Sequence, residues 1–113
     1  MGNMENISDT KVLVITVNAG FSTEAMDLAR AEGALGATII NARSEGATHE
    51  SFLGITVDTE REMLLILIDS PTADKIMMAV DAKMGVNSPA QGSCFTLPVE
   101  KSTKINRFPS GVV

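Results

Sequence analysis

The chain has no tryptophan and no tyrosine, and only 4% of its 113 residues are aromatic. Its core must therefore be aliphatic, drawn from the Val, Ile, Leu, Met and Ala that dominate its 44% hydrophobic content. It has one cysteine, which excludes an internal disulfide and fits a reducing compartment, so the cytoplasm is the expected location. It has one histidine, His49. A single His with no Cys or paired carboxylates at ligand spacing reads as an exposed residue or a partner contact rather than a metal site. Positive charge is scarce: 9 Lys and Arg face 14 Asp and Glu, for a net charge of -5. With no basic run, nucleic acid and anionic membrane surfaces are excluded as main partners. No apolar stretch reaches the ~18 residues of a membrane span. The start, "MGNMENISDTK", lacks the basic and apolar regions of a secretory signal. No direct membrane insertion is expected. Nor is there a nucleophile–base pair or a set of paired carboxylates, so the sequence does not read as an enzyme. Glu50 follows His49 but has no third group to orient it.

Two half-repeats are present. "KVLVITV" (11–17) is β-branched and apolar, a buried strand. "NAG" is a turn, and Ser22 is the expected cap of a helix carrying Glu24 in its first turn. Ala25, Leu28 and Ala29 share one face of that helix, and Gly33 stops it. "ATIINA" is a second strand. "EMLLILI" (62–68), apolar throughout, is a third and central one. Ser70 followed by Pro71 reads as the start of a second helix, with Ser70 as its N-cap and proline at the first helical position. Ala73, Ile76, Met77, Val80 and Met84 form its apolar stripe, and Gly85 ends it. "VNSPAQG" is a turn-rich loop, and "SCFTLPV" is a fourth strand whose Pro98 belongs at an edge. Cys94 in this strand reads as a buried structural thiol.

The order β-α-β, β-α-β predicts an α+β ferredoxin-like βαββαβ sandwich, a four-stranded antiparallel sheet with two helices on one face. The other face would still carry apolar side chains, which predicts an oligomer. One feature exceeds the needs of that fold. Between Ile40 and Met63 lie roughly twenty mostly polar residues, including "NARSEGATHESFLG", where a hairpin needs about two to five.

Four stretches carry a family resemblance: "EGALGATII", the long polar excursion, "ILIDSPTADKIMMAVDAKM" and "AQGSCFTLPVEK". In their order and spacing over about residues 11–104 the chain resembles the PII signal-transduction superfamily, in particular its divergent PII-like members. The resemblance implies a homotrimer that senses adenine nucleotides in clefts between subunits. It also implies control of a membrane transporter or metabolic enzyme, in nitrogen metabolism, through a flexible T-loop, which the excursion at 43–56 would be. Thr38 and Leu67 would stand at the adenine. Arg43, Ser44 and Gly46 would approach the phosphates from the loop base. Gln91, Gly92 and Ser93 would form the phosphate loop before the last strand, with Lys101 and Lys104 in the tail.

This chain departs from the family pattern in three places. Gln91 and Ser93 replace an acid and a lysine, so the phosphate loop is poorer in charge and a triphosphate is the least supported of ATP, ADP and AMP. The absence of tyrosine excludes the family's tyrosine-modification switch. No Gln in the excursion could hold Mg2+, so Mg2+ and 2-oxoglutarate are not part of the expectation. The expected layout is an arm at 1–10, the domain at 11–105 and a tail at 106–113. The competing expectation is a trimeric ferredoxin-like protein of the divalent-cation tolerance type, binding a metal or a metabolite.

Overall fold

The aliphatic run at the start becomes strand β1, Thr10–Asn18, and lies inside the sheet rather than at an edge. The computed structural model describes residues 9–45 and 59–103, and the backbone of 51–52 and 55–56. After β1 come helix α1 (Ser22–Ala31), β2 (Thr38–Ser44), two short strands β3 (Ser51–Phe52) and β4 (Ile55–Thr56), β5 (Thr59–Asp69), helix α2 (Ser70–Met84) and β6 (Ser93–Pro98). The main sheet has the order β2-β5-β1-β6, with every neighbouring pair antiparallel. This is the ferredoxin-like arrangement, with β5 central as its continuous apolar run implies and β6 on an edge, ending at Pro98.

Period-two alternation sorts the strands between two faces. Leu13, Ile15 and Val17 of β1 and Leu64, Ile66 and Ile68 of β5 join Ala25, Met26 and Ala29 of α1 and Ala73, Ile76, Val80 and Met84 of α2 in one core. Leu28 and Met77, expected within the helical stripes, pack only partly against it. The opposite face carries Val12, Val14, Met63, Leu65, Leu67, Ile40, Phe95 and Leu97. Val14 is 3% exposed at its centre, whereas Ile40, Phe95 and Leu97 are each more than two-fifths exposed. The helix-free face is thus apolar and only half covered within one chain.

Three local expectations are corrected. Ser22 is not a cap: Phe21 occupies the N-cap of α1 without a side-chain bond, and the Ser22 hydroxyl donates instead to Glu62 Oε2 at 3.2 Å. Ser70 is not the cap of α2 either. Asp69 is, because its backbone is extended and its Oδ2 accepts from the Thr72 amide at 3.0 Å and from the Thr72 hydroxyl at 2.8 Å. Third, Arg43 and Ser44, placed at the start of the excursion, remain in the sheet, where Arg43 pairs with Glu60 and Ser44 with Thr59. Beyond them, β3 and β4 pair as a small separate ribbon, Ser51 opposite Thr56 and Phe52 opposite Ile55. The mobility expected of the excursion concerns residues mostly outside those described, as do most of the N-terminal arm and the tail.

The Asp69 cap has a measurable consequence. Burial raises its carboxyl pKa, but the two bonds from Thr72 and the charge of Lys75 outweigh this and hold it below the usual carboxylate value. The contribution is therefore whole above the unfolded-state pKa and is lost as pH falls through the lowered folded value. Asp69→Ala is expected to remove about 1 kcal/mol at neutral pH. Denaturant titrations at pH 7 and pH 2.5 should show the mutant–wild-type gap shrinking in acid; a gap constant with pH would contradict the cap.

Candidate ligand-binding site

One end of the sheet gathers polar side chains from three parts of the chain. It is the end where β1 finishes and β5 begins. There Asn18 turns the chain out of β1, and its amide side chain offers both a donor and an acceptor. Its Nδ2 donates to the Pro89 carbonyl at 2.9 Å, and its backbone N–H donates to the Ala90 carbonyl at 2.8 Å. Its Oδ1 accepts from Arg61 Nη1 at 2.7 Å, while Arg61 Nη2 reaches the Gln91 carbonyl at 3.0 Å. The neighbouring residue on β5 points to the other face. Glu62 accepts from the Gly20 N–H at 2.7 Å and from the Ser22 hydroxyl. Consecutive strand residues thus grip the 85–92 loop on one side and the β1–α1 turn on the other.

Beside this network lies an open recess of about 610 Å³, lined by Ala19, Asn41, Ala42, Arg43, Glu60, Arg61 and Glu62. By strand alternation the side chains of Arg43, Glu60 and Glu62 share one face and the Arg61 guanidinium lies on the other, so the recess carries no excess of positive charge. That favours a ligand with few anionic groups over a polyanion. Among the described residues, no group of three or more His, Cys, Asp and Glu could hold a metal ion.

The residues expected at a nucleotide fall into three places. Arg43 lies in the recess, and Ser44 follows it at the end of β2. Gln91, Gly92 and Ser93 lie at the same end, tied there through Arg61 and Asn18. Thr38 and Leu67 lie on the helix-free face, Thr38 opposite Leu65 and Leu67 opposite Val12. With a strand rise of about 3.3 Å per residue, Thr38 is roughly 17 Å along β2 from Arg43. Lys101 follows β6 at the far end of the sheet, where Val99 donates to the Thr10 carbonyl. It is on the order of 25 Å from the Gln91 loop in the same chain. Gly46 and Lys104 lie outside the described residues.

The 85–92 loop does not present an open row of N–H groups. Ser88 donates to Gly85, Gln91 to Ser88 and Gly92 to the Met84 carbonyl at 2.7 Å. The Gly92 N–H, expected to cradle a phosphate, closes the end of α2 instead, and the residue is buried. A Cβ there would collide with the Met84 carbonyl oxygen and approach Val80 Cγ1 at 3.3 Å. Gln91 holds a left-handed φ of 46°, a conformation few non-glycine residues adopt. It aims its carbonyl at Arg61. The sequence reading missed Arg61, Asn18 and Glu62. Their signal was present in the Arg61-Glu62 pair on a strand leading out of the excursion, and in a turn Asn at the end of the first strand.

A second groove, about 300 Å³, runs between α2 and β6 and is lined by Met77, Met78, Val80, Asp81, Gly92, Ser93 and Cys94. Cys94 packs partly against the core. Burial, and then the charge of Asp81, push its thiol up to about 11. Since the thiolate is the nucleophile, iodoacetamide at pH 8 is expected to modify it about a hundredfold more slowly than a small-molecule thiol. Asp81→Asn should speed the reaction only modestly, because burial is the larger cause. Labelling as fast as that of the small thiol would contradict the burial of Cys94.

Neither a protein-family profile nor a curated relative matches the chain. Solved structures do. It is similar to CPII, a nitrogen regulatory PII-like protein from Thiomonas intermedia K12 solved with ADP, AMP and bicarbonate, at 15% identity and a TM-score of 0.63, covering 82% of this chain and 91% of that one. It is also similar to GlnK of B. subtilis, at 16% identity and a TM-score of 0.64, covering 90% and 95%. CutA from Synechococcus elongatus PCC7942 matches at 14% identity and a TM-score of 0.64, covering 88% and 85%. The fold is therefore the ferredoxin-like fold that PII-like proteins and CutA share. No helix among the described residues is long and apolar enough to cross a membrane.

Proposed function

We propose that this chain is a PII-like regulatory protein, not an enzyme, that forms a homotrimer and senses an adenine nucleotide. The observation that carries the reading is the joining of the Gln91–Ser93 loop to the start of β5 and the end of β2 at one end of the sheet. It is supported by similarity to a PII-like protein solved with ADP and AMP. In this reading the helix-free face is covered by the other two subunits. The remote Lys101 then serves a neighbour's cleft, since it is far from its own chain's loop. Thr38 and Leu67, about 17 Å or more from the Arg43 end of their own chain, flank the base in a neighbour's cleft, and Arg43, Ser44, Gly46, Gln91, Ser93 and Lys104 line the phosphates. Gly92 holds the loop in shape. The segment between Ser44 and Thr59 is the surface that meets a transporter or metabolic enzyme.

Calorimetric titration with AMP, ADP and ATP, with and without bicarbonate, tests the reading. AMP or ADP is expected to bind, more tightly than ATP because the recess carries no excess of positive charge. Arg43→Ala should weaken binding roughly ten- to a hundredfold, the loss of one charge-assisted contact. The similarity to CutA favours a second reading, a trimer that binds a metal or a metabolite through the same fold. Binding of a divalent cation with no response to any nucleotide would support that reading instead.

A further inference from the structure

We propose that Arg61 is a positioning residue that couples the 85–92 loop to the start of β5, so that the two move as one unit. The geometry carries this. Arg61 leaves β5 two residues after its first residue, Thr59, and its two terminal nitrogens hold different parts of the chain. Nη1 holds Asn18, which itself holds Pro89 and Ala90, and Nη2 holds Gln91. Its Nε is buried and has no hydrogen-bond partner among the described residues. Among the described residues the guanidinium is thus hydrogen-bonded through its two terminal nitrogens. A fork of fixed shape can bridge two acceptors in this way, whereas a lysine ammonium on a flexible stem does not.

Three further bonds complete the unit. The Ala19 N–H donates to the Glu60 carbonyl at 3.0 Å, while Glu62 receives Gly20 and Ser22. The β1–α1 turn is therefore tied to β5 immediately before and immediately after Arg61. A shift at the beginning of β5 moves Arg61, and Arg61 moves the Gln91 carbonyl and the left-handed turn that carries it. Both acceptors of Arg61 are neutral, an amide oxygen and a carbonyl oxygen. An anionic oxygen arriving at this loop would compete with them on favourable terms. The coupling is thereby open to a ligand as well as to the strand.

Amide hydrogen exchange of the full-length chain without ligand tests the coupling. In Arg61→Ala, exchange is expected to rise about ten- to a hundredfold at Gln91 and Gly92 in the loop and, with them, at Ala19 on the other side of the clamp. Arg61→Lys keeps the charge and most of the stem. It should reproduce the rise, which also decides the matter if Arg61→Ala fails to fold. Asn18→Ala should do the same. A rise confined to the loop, with Ala19 unchanged, would overturn the coupling, as would no change at any of the three amides. That the unit responds to a ligand rests on the nucleotide reading, and ADP separates the two. In the wild type, ADP should change exchange at Gln91 and Ala19 together, and in Arg61→Lys only at Gln91. If ADP leaves the wild type unmoved, the nucleotide reading fails, and the ligand-free comparison alone decides the coupling.

Discussion

Gly92→Val is expected to lower the melting temperature by roughly 10 to 20 °C. The Gly92 backbone lies against the last turn of α2, with its N–H on the Met84 carbonyl, so any Cβ meets that oxygen and then Val80. Both obstacles are firm, one backbone and the other a buried β-branched side chain. Forcing a side chain into such a site costs about 3 kcal/mol, and in a domain of this size each kcal/mol moves the midpoint by several degrees. Thermal unfolding followed by circular dichroism checks the value. A mutant as stable as the wild type would mean that Gly92 does not seat the helix end. Any loss of ligand binding in this mutant would report the damaged loop. Ser93→Ala is a cleaner probe of ligand contact, because Ser93 is exposed.

Leu65→Glu is expected to convert the proposed trimer to monomers at micromolar concentration. Leu65 stands on the helix-free face, opposite Val14 of β1 and Thr38 of β2, with Met63 and Leu67 on either side along its own strand. If subunits cover this face, the substitution buries an unpaired carboxylate, a penalty of several kcal/mol on each of three equivalent positions. If the face meets water in a lone chain, the half-buried Leu65 loses part of its apolar contact, and the same change should cost about 1 to 2 kcal/mol of stability with no change in the oligomeric state. Light scattering of both proteins separates the two cases. A wild type that is monomeric would remove the basis for a cleft between subunits.

The sheet, both helices and the core were legible in the sequence because burial writes itself as pattern: continuous apolar runs in "VLVIT" and "LLILI", and an apolar residue every third or fourth position in α2. The polar details were less legible because several residue types can fill one role. Ser22 and Ser70 have the chemistry of caps. Asp69, one position earlier, wins because its carboxylate reaches two donors on Thr72. Arg61 was passed over because an arginine between two glutamates reads as a solvated charge. Only the pairing of β5 with β1, which runs on to Arg61 opposite Asn18, places it beside the 85–92 loop. Gly92 was read as an open phosphate contact because a glycine beside turn residues has the same signature whether its N–H is offered to a ligand or given to a helix end. The gathering of Arg43 and Gln91 at one end of the sheet could be anticipated only from the family resemblance, since they lie far apart in sequence.

Native mass spectrometry of the wild-type chain titrated with ADP and, separately, with AMP tests the central claim most directly, because it reads assembly and ligand together. The expected spectrum is a trimer that takes up one, two and then three ADP, with Arg43→Ala shifting the uptake to higher ADP concentrations without changing the trimer. A monomer, or a trimer that takes up neither ADP nor AMP, would contradict a nucleotide-sensing trimer.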